Sequence, residues 1–271
     1  MSAMNVAQRR EYLDFAREIA REAGQVTLAY FRRDLETETK ADRTPVTIAD
    51  RESETLLRRR IRSRYPNHGI LGEEEGLTAG RDDLTWVLDP IDGTKSFVLG
   101  VGQYAVLVAL VSSRYTGEGP LPASAVEVGI IYVPPLDEMV SAARGLGATW
   151  HNGVHEAPAR VSGIDSLKTA RIGTTDFADL ARREPSIFAG IVESGAMTRT
   201  WGDAYGYMLV ATGRYEVMID PIMNPWDIGP LPVIIAEAGG RFTDLSGDGG
   251  LGASGIASNG VLHDELLALR R

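Results

Sequence analysis

Cysteine is absent from the sequence, which excludes disulfide staples, thiolate zinc sites and cysteine nucleophiles. Long apolar runs are missing as well. The longest, Tyr104 to Val111, falls far short of the ~20 residues that a membrane-spanning helix needs. The opening stretch MSAMNVAQRREYLDF is charged and polar and offers no apolar signal region. These absences together favour a cytoplasmic location. Positive charge is in short supply: 28 basic residues stand against 37 acidic ones, for a formal net charge of −9. That balance argues against nucleic acid or an anionic membrane as the main partner. It also sets a problem for any anionic substrate, which is repelled unless cations intervene locally. Internal repeats, low-complexity tracts and domain linkers are not found either. What is there is ordinary for a soluble enzyme: 271 residues, 44% hydrophobic and 24% charged, enough for one globular unit or two lobes sharing a core.

The spacing of Leu13, Ala16, Ile19, Ala20, Ala23, Val26, Thr27, Tyr30 and Phe31 predicts a long amphipathic helix over 10–33. Thr44 to Asp50 is extended in character and leads into a second helix. That helix buries Leu56, Leu57 and Ile61 and ends near Tyr65-Pro66, since proline disfavours helix in the residue before it. Short apolar strands are expected at Ile70-Leu71, Trp86 to Leu88, Tyr104 to Val111, Ala125 to Val133 and Glu138 to Ala143, with a turn at Thr116 to Pro120. Further on, strands are expected at Arg171 to Thr174, Glu216 to Asp220 and Gly255 to Ser258. Helical stretches are expected at Phe177 to Glu193, Trp201 to Thr212, Leu231 to Ala238 (closed by Gly239-Gly240) and Leu262 to Leu269. Helices first, antiparallel strands in the middle and mixed elements at the end point to an α+β fold of stacked layers rather than a regular βαβ winding.

The most informative segment is Trp86-Val87-Leu88-Asp89-Pro90-Ile91-Asp92-Gly93-Thr94. A buried strand is expected to stop at Asp89, with Pro90 fixing the turn and Gly93-Thr94 opening a helix. Two carboxylates and the Ile91 carbonyl then sit beside free N–H groups at a helix start. Hard cations want oxygen ligands and a phosphate wants N–H groups, so one loop can hold both. Upstream, Gly72-Glu73-Glu74-Glu75-Gly76 places three acids in a row after an apolar pair, which turns at least one of them inward. Pro225-Trp226-Asp227 and Asp50 each put a carboxylate at a helix start, where capping is the better account of either alone. Capping needs only one acid, however, and does not need proline, glycine and threonine in order. The haloacid dehalogenase signature, D-x-D-G-T, does not apply: two residues separate Asp89 from Asp92, which turns the pair apart and disfavours a phospho-aspartate route.

Taken in order, T-P-V-T-I-A-D, G-E-E, D-P-I-D-G-T and W-D resemble the inositol monophosphatase superfamily across nearly the whole chain. Gly93 to Phe97, Arg199 to Tyr207 and Leu209 to Arg214 are most similar to its histidinol-phosphate phosphatase branch. The resemblance implies a layered α-β-α-β-α sandwich, commonly a homodimer. It implies one phosphatase unit over 1–271, with a metal-binding lobe at 1–145 and a substrate lobe at 146–271. It further implies two or three Mg²⁺ ions held by Glu73, Asp89, the Ile91 carbonyl, Asp92 and Asp227, with Glu74 just behind them. Asp50 matches an acid that helps hold a weaker metal and orient water. The expected reaction is hydrolysis of a small phosphate monoester, L-histidinol phosphate first, as in histidine biosynthesis. Inositol monophosphates or other sugar phosphates are the alternative substrates, and a catalytically weak metal-dependent interaction protein is the alternative of a different class. Lithium inhibition is also implied.

On this reading Glu73, Asp92, Thr94 and Asp50 are catalytic, with Thr94 hydrogen-bonded to an acid such as Asp50 to orient the attacking water. The Gly93 and Thr94 N–H groups hold the phosphate. Arg199, Asp203 and Asp227 face the rest of the substrate, where a carboxylate at Asp203 suits a cationic amine or a sugar hydroxyl. A buried Arg199–Asp203 pair that merely anchors the helix is an equal account of those two. Trp201 and Tyr205 read as core more readily than pocket, and Lys95 as a helix-surface charge that could steer phosphate. The histidines at 68, 151, 155 and 263 are scattered, His151-Asn152-Gly153 reads as a turn, and none is taken as catalytic. After Asp227 the chain reads Ile228-Gly229-Pro230-Leu231-Pro232 where the family has small residues, so the helix there is expected to start late or be distorted.

Overall fold

The computed structural model describes residues 4–33, 38–39, 45–113, 115 and 121–270. The turn expected at Thr116 to Pro120, and Thr44 at the head of the extended stretch, lie outside the described residues. Helix α1 (Val6–Tyr30) begins at a capping box in which Asn5 and Gln8 satisfy each other's backbone N–H groups. A short pair, β1 (Glu38–Thr39) and β2 (Pro45–Val46), precedes α2 (Ile48–Arg64), which is capped in the same way by Thr47 and Asp50. Leu57 and Ile61 are buried as expected, whereas Leu56 is only half-buried. Strands β3 (Gly69–Gly72), β4 (Gly76–Thr78) and β5 (Thr85–Asp92) lead into the short helix α3 (Thr94–Val98). Next come β6 (Ala105–Val111), β7 (Leu121–Pro122), β8 (Val126–Val133), β9 (Glu138–Ala143), β10 (Gly147–Asn152) and β11 (Glu156–Pro158).

These strands form a sheet in the order β11-β10-β9-β8-β6-β5-β3-β4, antiparallel except for the β3/β5 pair. Its central strands β6 and β8 are buried on both faces. Val106, Val108, Leu110, Val128, Ile130 and Tyr132 pack under α1 and α2. The alternate residues Leu107, Ala109, Ile131 and Val133 face a second helical layer. His151 and Asn152 belong to β10, so only Gly153, with φ of 76°, forms the turn the sequence indicated there. Residues 147–158 extend the first sheet, and the strands of the second sheet follow Pro158.

The second half runs β12 (Arg171–Gly173), α4 (Phe177–Arg183), α5 (Pro185–Ser194), β13 (Met197–Arg199), α6 (Asp203–Ala211), β14 (Val217–Asp220), α7 (Pro225–Ile228), α8 (Leu231–Glu237), β15 (Arg241–Thr243), β16 (Gly250–Leu251), β17 (Gly255–Ser258) and α9 (His263–Ala268). The second sheet has the order β13-β12-β14-β17-β15, while β16 pairs with β7. Helices α6 and α8 touch strands of both sheets and form the middle layer. Leu180 and Ile187, Ile191 and Leu266 of α4, α5 and α9 cover the outer face of the second sheet with Val217, Ile219 and Ile256. The layers therefore alternate α-β-α-β-α. The helix after Asp227 is indeed broken: α7 ends at Ile228 and α8 resumes at Leu231, with Gly229 and Pro230 between them in helical dihedrals. Among the described residues, no helix is long and apolar enough to cross a membrane.

Candidate active site

Strand β5 pairs with β6 down to Asp89 opposite Leu107, loses register, and regains it at Asp92 opposite Ala105. The strand thus continues past Asp89, where the sequence reading ended it. Pro90 has no N–H to offer the ladder, and the Ile91 N–H donates instead to Asp89 Oδ1 at 3.0 Å. This irregularity lets both carboxylates leave one strand toward the same cavity. Gly93 then takes a left-handed conformation, φ 82°, and α3 starts. From the other sheet's side, α7 brings Asp227, whose Oδ2 accepts the Asn224 N–H at 2.7 Å. Oxygens of Asp89, Asp92 and Asp227 all lie within 4.8 Å of one another.

The cavity above them holds about 380 Å³ and is also lined by Glu73, Ile91, Gly93, Thr94, Lys95, Gln103, Thr175, Asp203 and Asn224. Glu73 follows β3 directly, its N–H donating to Leu88 O at 3.2 Å, and its carboxylate is in hydrogen-bonding contact with Asp89. Burial pushes the Asp89 carboxyl well above the usual range, and the neighbouring charges of Glu73, Asp92 and Asp227 push further. Asp92 is raised by burial and then by Asp203 and Asp227, against the Ala204 N–H that it accepts at 2.5 Å. Asp227 is raised by burial, with the Asn224 N–H opposing. Among the described residues, Lys95 is the only basic side chain lining this cavity, against five acids. A site of buried like charges with all-oxygen donors suits a hard divalent cation, since otherwise only protons relieve the repulsion.

Other expected residues fall differently. Asp50 is fully buried at the head of α2, and its Oδ2 is taken by the Thr47 N–H at 2.8 Å and the Thr47 hydroxyl at 2.7 Å. Burial raises its pKa to about 6, with Thr47 opposing. It does not bond Thr94. The Thr94 hydroxyl donates instead to the Ile91 carbonyl at 3.1 Å, so the expected Thr94–Asp50 contact is replaced by one inside the motif. Glu74 is half-buried and does not line the cavity, although its N–H belongs to a network described below. Arg199 is exposed, donates to Thr198 O at 2.7 Å, and neither lines the cavity nor pairs with Asp203. The buried Arg–Asp pair is absent because β13 ends with Arg199 turned to solvent. Trp201 is 45% exposed rather than core and stacks on Tyr215, while half-buried Tyr205 lies beneath Arg214.

Asp203 does reach the site. Its φ of 50° is unusual for a residue with a side chain, and its N–H donates to Thr175 Oγ1 at 2.8 Å. Burial raises its pKa to about 6, Asp220 adds to this, and Lys95 opposes. Asp220 itself went unrecognised in the sequence. It ends buried strand β14 and accepts from the Thr175 N–H at 2.8 Å and from Tyr207 at 3.0 Å. An acid closing an apolar strand, as Asp92 also does, was the available signal. His68 accepts from Trp86 Nε1 and His263 lies between Thr243 and Ser258, so neither lines the cavity.

Residues 8–271 match the inositol monophosphatase family. A histidinol-phosphatase of Chlorobaculum parvum is 39% identical over 266 residues, covering 94% of this chain and 95% of that protein. A histidinol-phosphatase of Mycobacterium tuberculosis is 38% identical over 239 residues, or 86% of this chain and 87% of that one. Among solved structures, a Thermotoga maritima IMPase superposes with a TM-score of 0.82 at 30% identity, over 96% of each chain. With the acidic cavity, these similarities make the chain a phosphoric monoester hydrolase. It belongs to the inositol monophosphatase family, and within it is most similar to histidinol-phosphatases.

Proposed function

We propose that the chain hydrolyses L-histidinol phosphate to L-histidinol and inorganic phosphate in a Mg²⁺-dependent reaction, as a cytoplasmic homodimer serving histidine biosynthesis. The convergence of Asp89, Asp92 and Asp227 within 4.8 Å carries the reading, because a cage of one buried and two half-buried carboxylates repels itself without a cation. Those three, with Glu73 and the Ile91 carbonyl, would hold two or three Mg²⁺ ions. When bound, such ions neutralise the phosphate and lower the pKa of an attacking water. The chain's own groups supply the rest. The Gly93 and Thr94 N–H groups, at a helix start without intrahelical acceptors, face the ester phosphate. The Thr94 proton is committed to the Ile91 carbonyl, so the oxygen's lone pairs accept a hydrogen bond from water and orient it. Glu73, beside Asp89 at the cavity wall, accepts the water's proton. Asp203 lines the cavity beside Gly93 and suits the cationic amine of histidinol.

Phosphate release from a substrate panel, with and without Mg²⁺, tests this directly. L-histidinol phosphate is expected to lead, with activity lost on chelation. Asp92→Asn is expected to abolish turnover in a folded protein, and full activity in that variant would remove the assignment. The 0.82 TM-score with an IMPase favours inositol monophosphate as the second substrate to try, since Asp203 can also accept from a sugar hydroxyl. Preference for the inositol ester would replace the first reading.

A further inference from the structure

Behind the acidic cavity lies a buried ion pair that does not touch it. Glu54 and Arg58, one turn apart on α2, are both essentially buried and joined by a 2.7 Å bond from Arg58 Nε to Glu54 Oε1. Glu54 does more than neutralise Arg58. Its Oε2 accepts the Glu74 N–H at 2.7 Å and its Oε1 the Glu75 N–H at 3.0 Å. Arg58 in turn donates to the Gly76 carbonyl at 2.5 Å and to Thr78 Oγ1 at 3.1 Å. The residue on the other side of Glu73 is constrained too. A Cβ on Gly72 would stand 2.2 Å from Glu54 Oε1 and 2.8 Å from an Arg58 nitrogen, so the carboxylate occupies the space a side chain would take.

We propose that Glu54 and Arg58 are positioning residues that set the metal affinity of the cavity by fixing Glu73. The proposal rests on the reading of Glu73 as a metal ligand. Residues 72, 74 and 75 are each held against one carboxylate, leaving Glu73 the acid of the triplet that is turned to the cavity. Glu75 is turned the other way, 3.6 Å from Arg58 Nε and 3.3 Å from Thr55 Oγ1. The network thus separates Glu73, turned inward, from Glu75, turned outward, and holds the Glu74 backbone between them, with a buried guanidinium between Glu54 and Glu75. Groups that orient a metal ligand from behind change metal affinity by about 10- to 100-fold when removed. Glutamine at position 54 keeps the size but offers one acceptor oxygen, and its NH₂ faces an N–H donor.

Mn²⁺ binding to the whole protein, followed by electron paramagnetic resonance and by calorimetry, reads this without turnover. Glu54→Gln is expected to raise the Mn²⁺ Kd about tenfold or more. Arg58→Lys, which keeps the charge but loses the fork to Gly76 and Thr78, is expected to act in the same direction and serves if Glu54→Gln does not fold. Ile61→Val, a buried change on the same helix facing the core, controls for lost stability and is expected to leave Kd within twofold. An unchanged Kd in the Glu54 or Arg58 variant, or an equal loss in Ile61→Val, overturns the proposal. Asp92→Asn separates the two readings. If it binds Mn²⁺ as the unaltered protein does, the metal site itself is wrong. If it loses Mn²⁺ while Glu54→Gln keeps it, only the positioning role fails.

Discussion

At Gly93 the backbone φ of 82° and the crowding by Asp203 act on one atom position. A Cβ there would lie 2.9 Å from Asp203 Oδ2. Gly93→Ala therefore incurs about 1–3 kcal/mol of left-handed strain and displaces the side chain proposed to face the substrate. A lower urea midpoint and a lower kcat/KM are both expected, and an unchanged pair of values would show that neither constraint matters. His263 gives a second residue-scale test. Burial holds its pKa down to about 4 against an ordinary 6.5. Between those values the folded chain binds fewer protons than the unfolded one, so this contribution to stability is lost as pH falls through the window. His263→Gln is expected to show a shallower loss of urea midpoint from about pH 7 to about pH 5 than the unaltered protein, and equal slopes would exclude the histidine as the source. Local chemistry was the legible part at this scale. Asp89, Asp92 and Gly93 announce themselves within one hexapeptide, whereas Thr175 and Asp220 arrive from a different sheet and share no motif with it. The Thr94–Asp50 contact failed for a related reason: Asp50 is captured three residues away by its own cap, Thr47, before it can reach across the fold.

Elements were legible where one face of the chain had a period and illegible where it did not. Strand β6 is a continuous apolar run, β8 is apolar but for Glu127 and Gly129, and α1 keeps helical spacing over its whole length. The β10–β11 hairpin is half-exposed, with mixed residues on both faces, and gives no such pattern. The break between α7 and α8 was readable from its prolines, and its placement explains why it is tolerated. Pro232 falls in the first turn of α8, where an N–H has no acceptor anyway. Pro232→Ala is therefore expected to change stability by less than about 1 kcal/mol and leave activity intact. Gly129 on β8 is the opposite case. A Cβ there would stand 2.5 Å from the Pro230 carbonyl, a backbone atom that cannot step aside without moving the α7–α8 junction that carries Asp227. Gly129→Ala is expected to cost about 1–3 kcal/mol in a chemical melt and to lower activity at limiting Mg²⁺ more than at saturation. Equal activity at both concentrations would show that the junction does not place Asp227.

Over the whole molecule, two sheets meet at a point where each contributes acids that burial penalises. Asp89 and Asp92 come from the first sheet, Asp203, Asp220 and Asp227 from the second half, and the net charge of −9 does nothing to relieve them. Burial and mutual repulsion thus penalise the fold at the cavity that the proposed chemistry uses, and a bound cation would relieve both. Mass action makes this measurable: an ion roughly a hundredfold above its Kd adds on the order of 3 kcal/mol, worth several degrees in a thermal melt. Asp92→Asn separates the repulsion from the binding. Asparagine keeps an oxygen for the Ala204 N–H but removes one charge, so without metal the variant is expected to melt at or above the unaltered protein. With Mg²⁺ the order reverses, because the unaltered chain gains from the ion and the variant scarcely does. Parallel rises in both proteins on adding Mg²⁺ would mean that the ion acts elsewhere on the surface and that the acids are kept apart by protons alone.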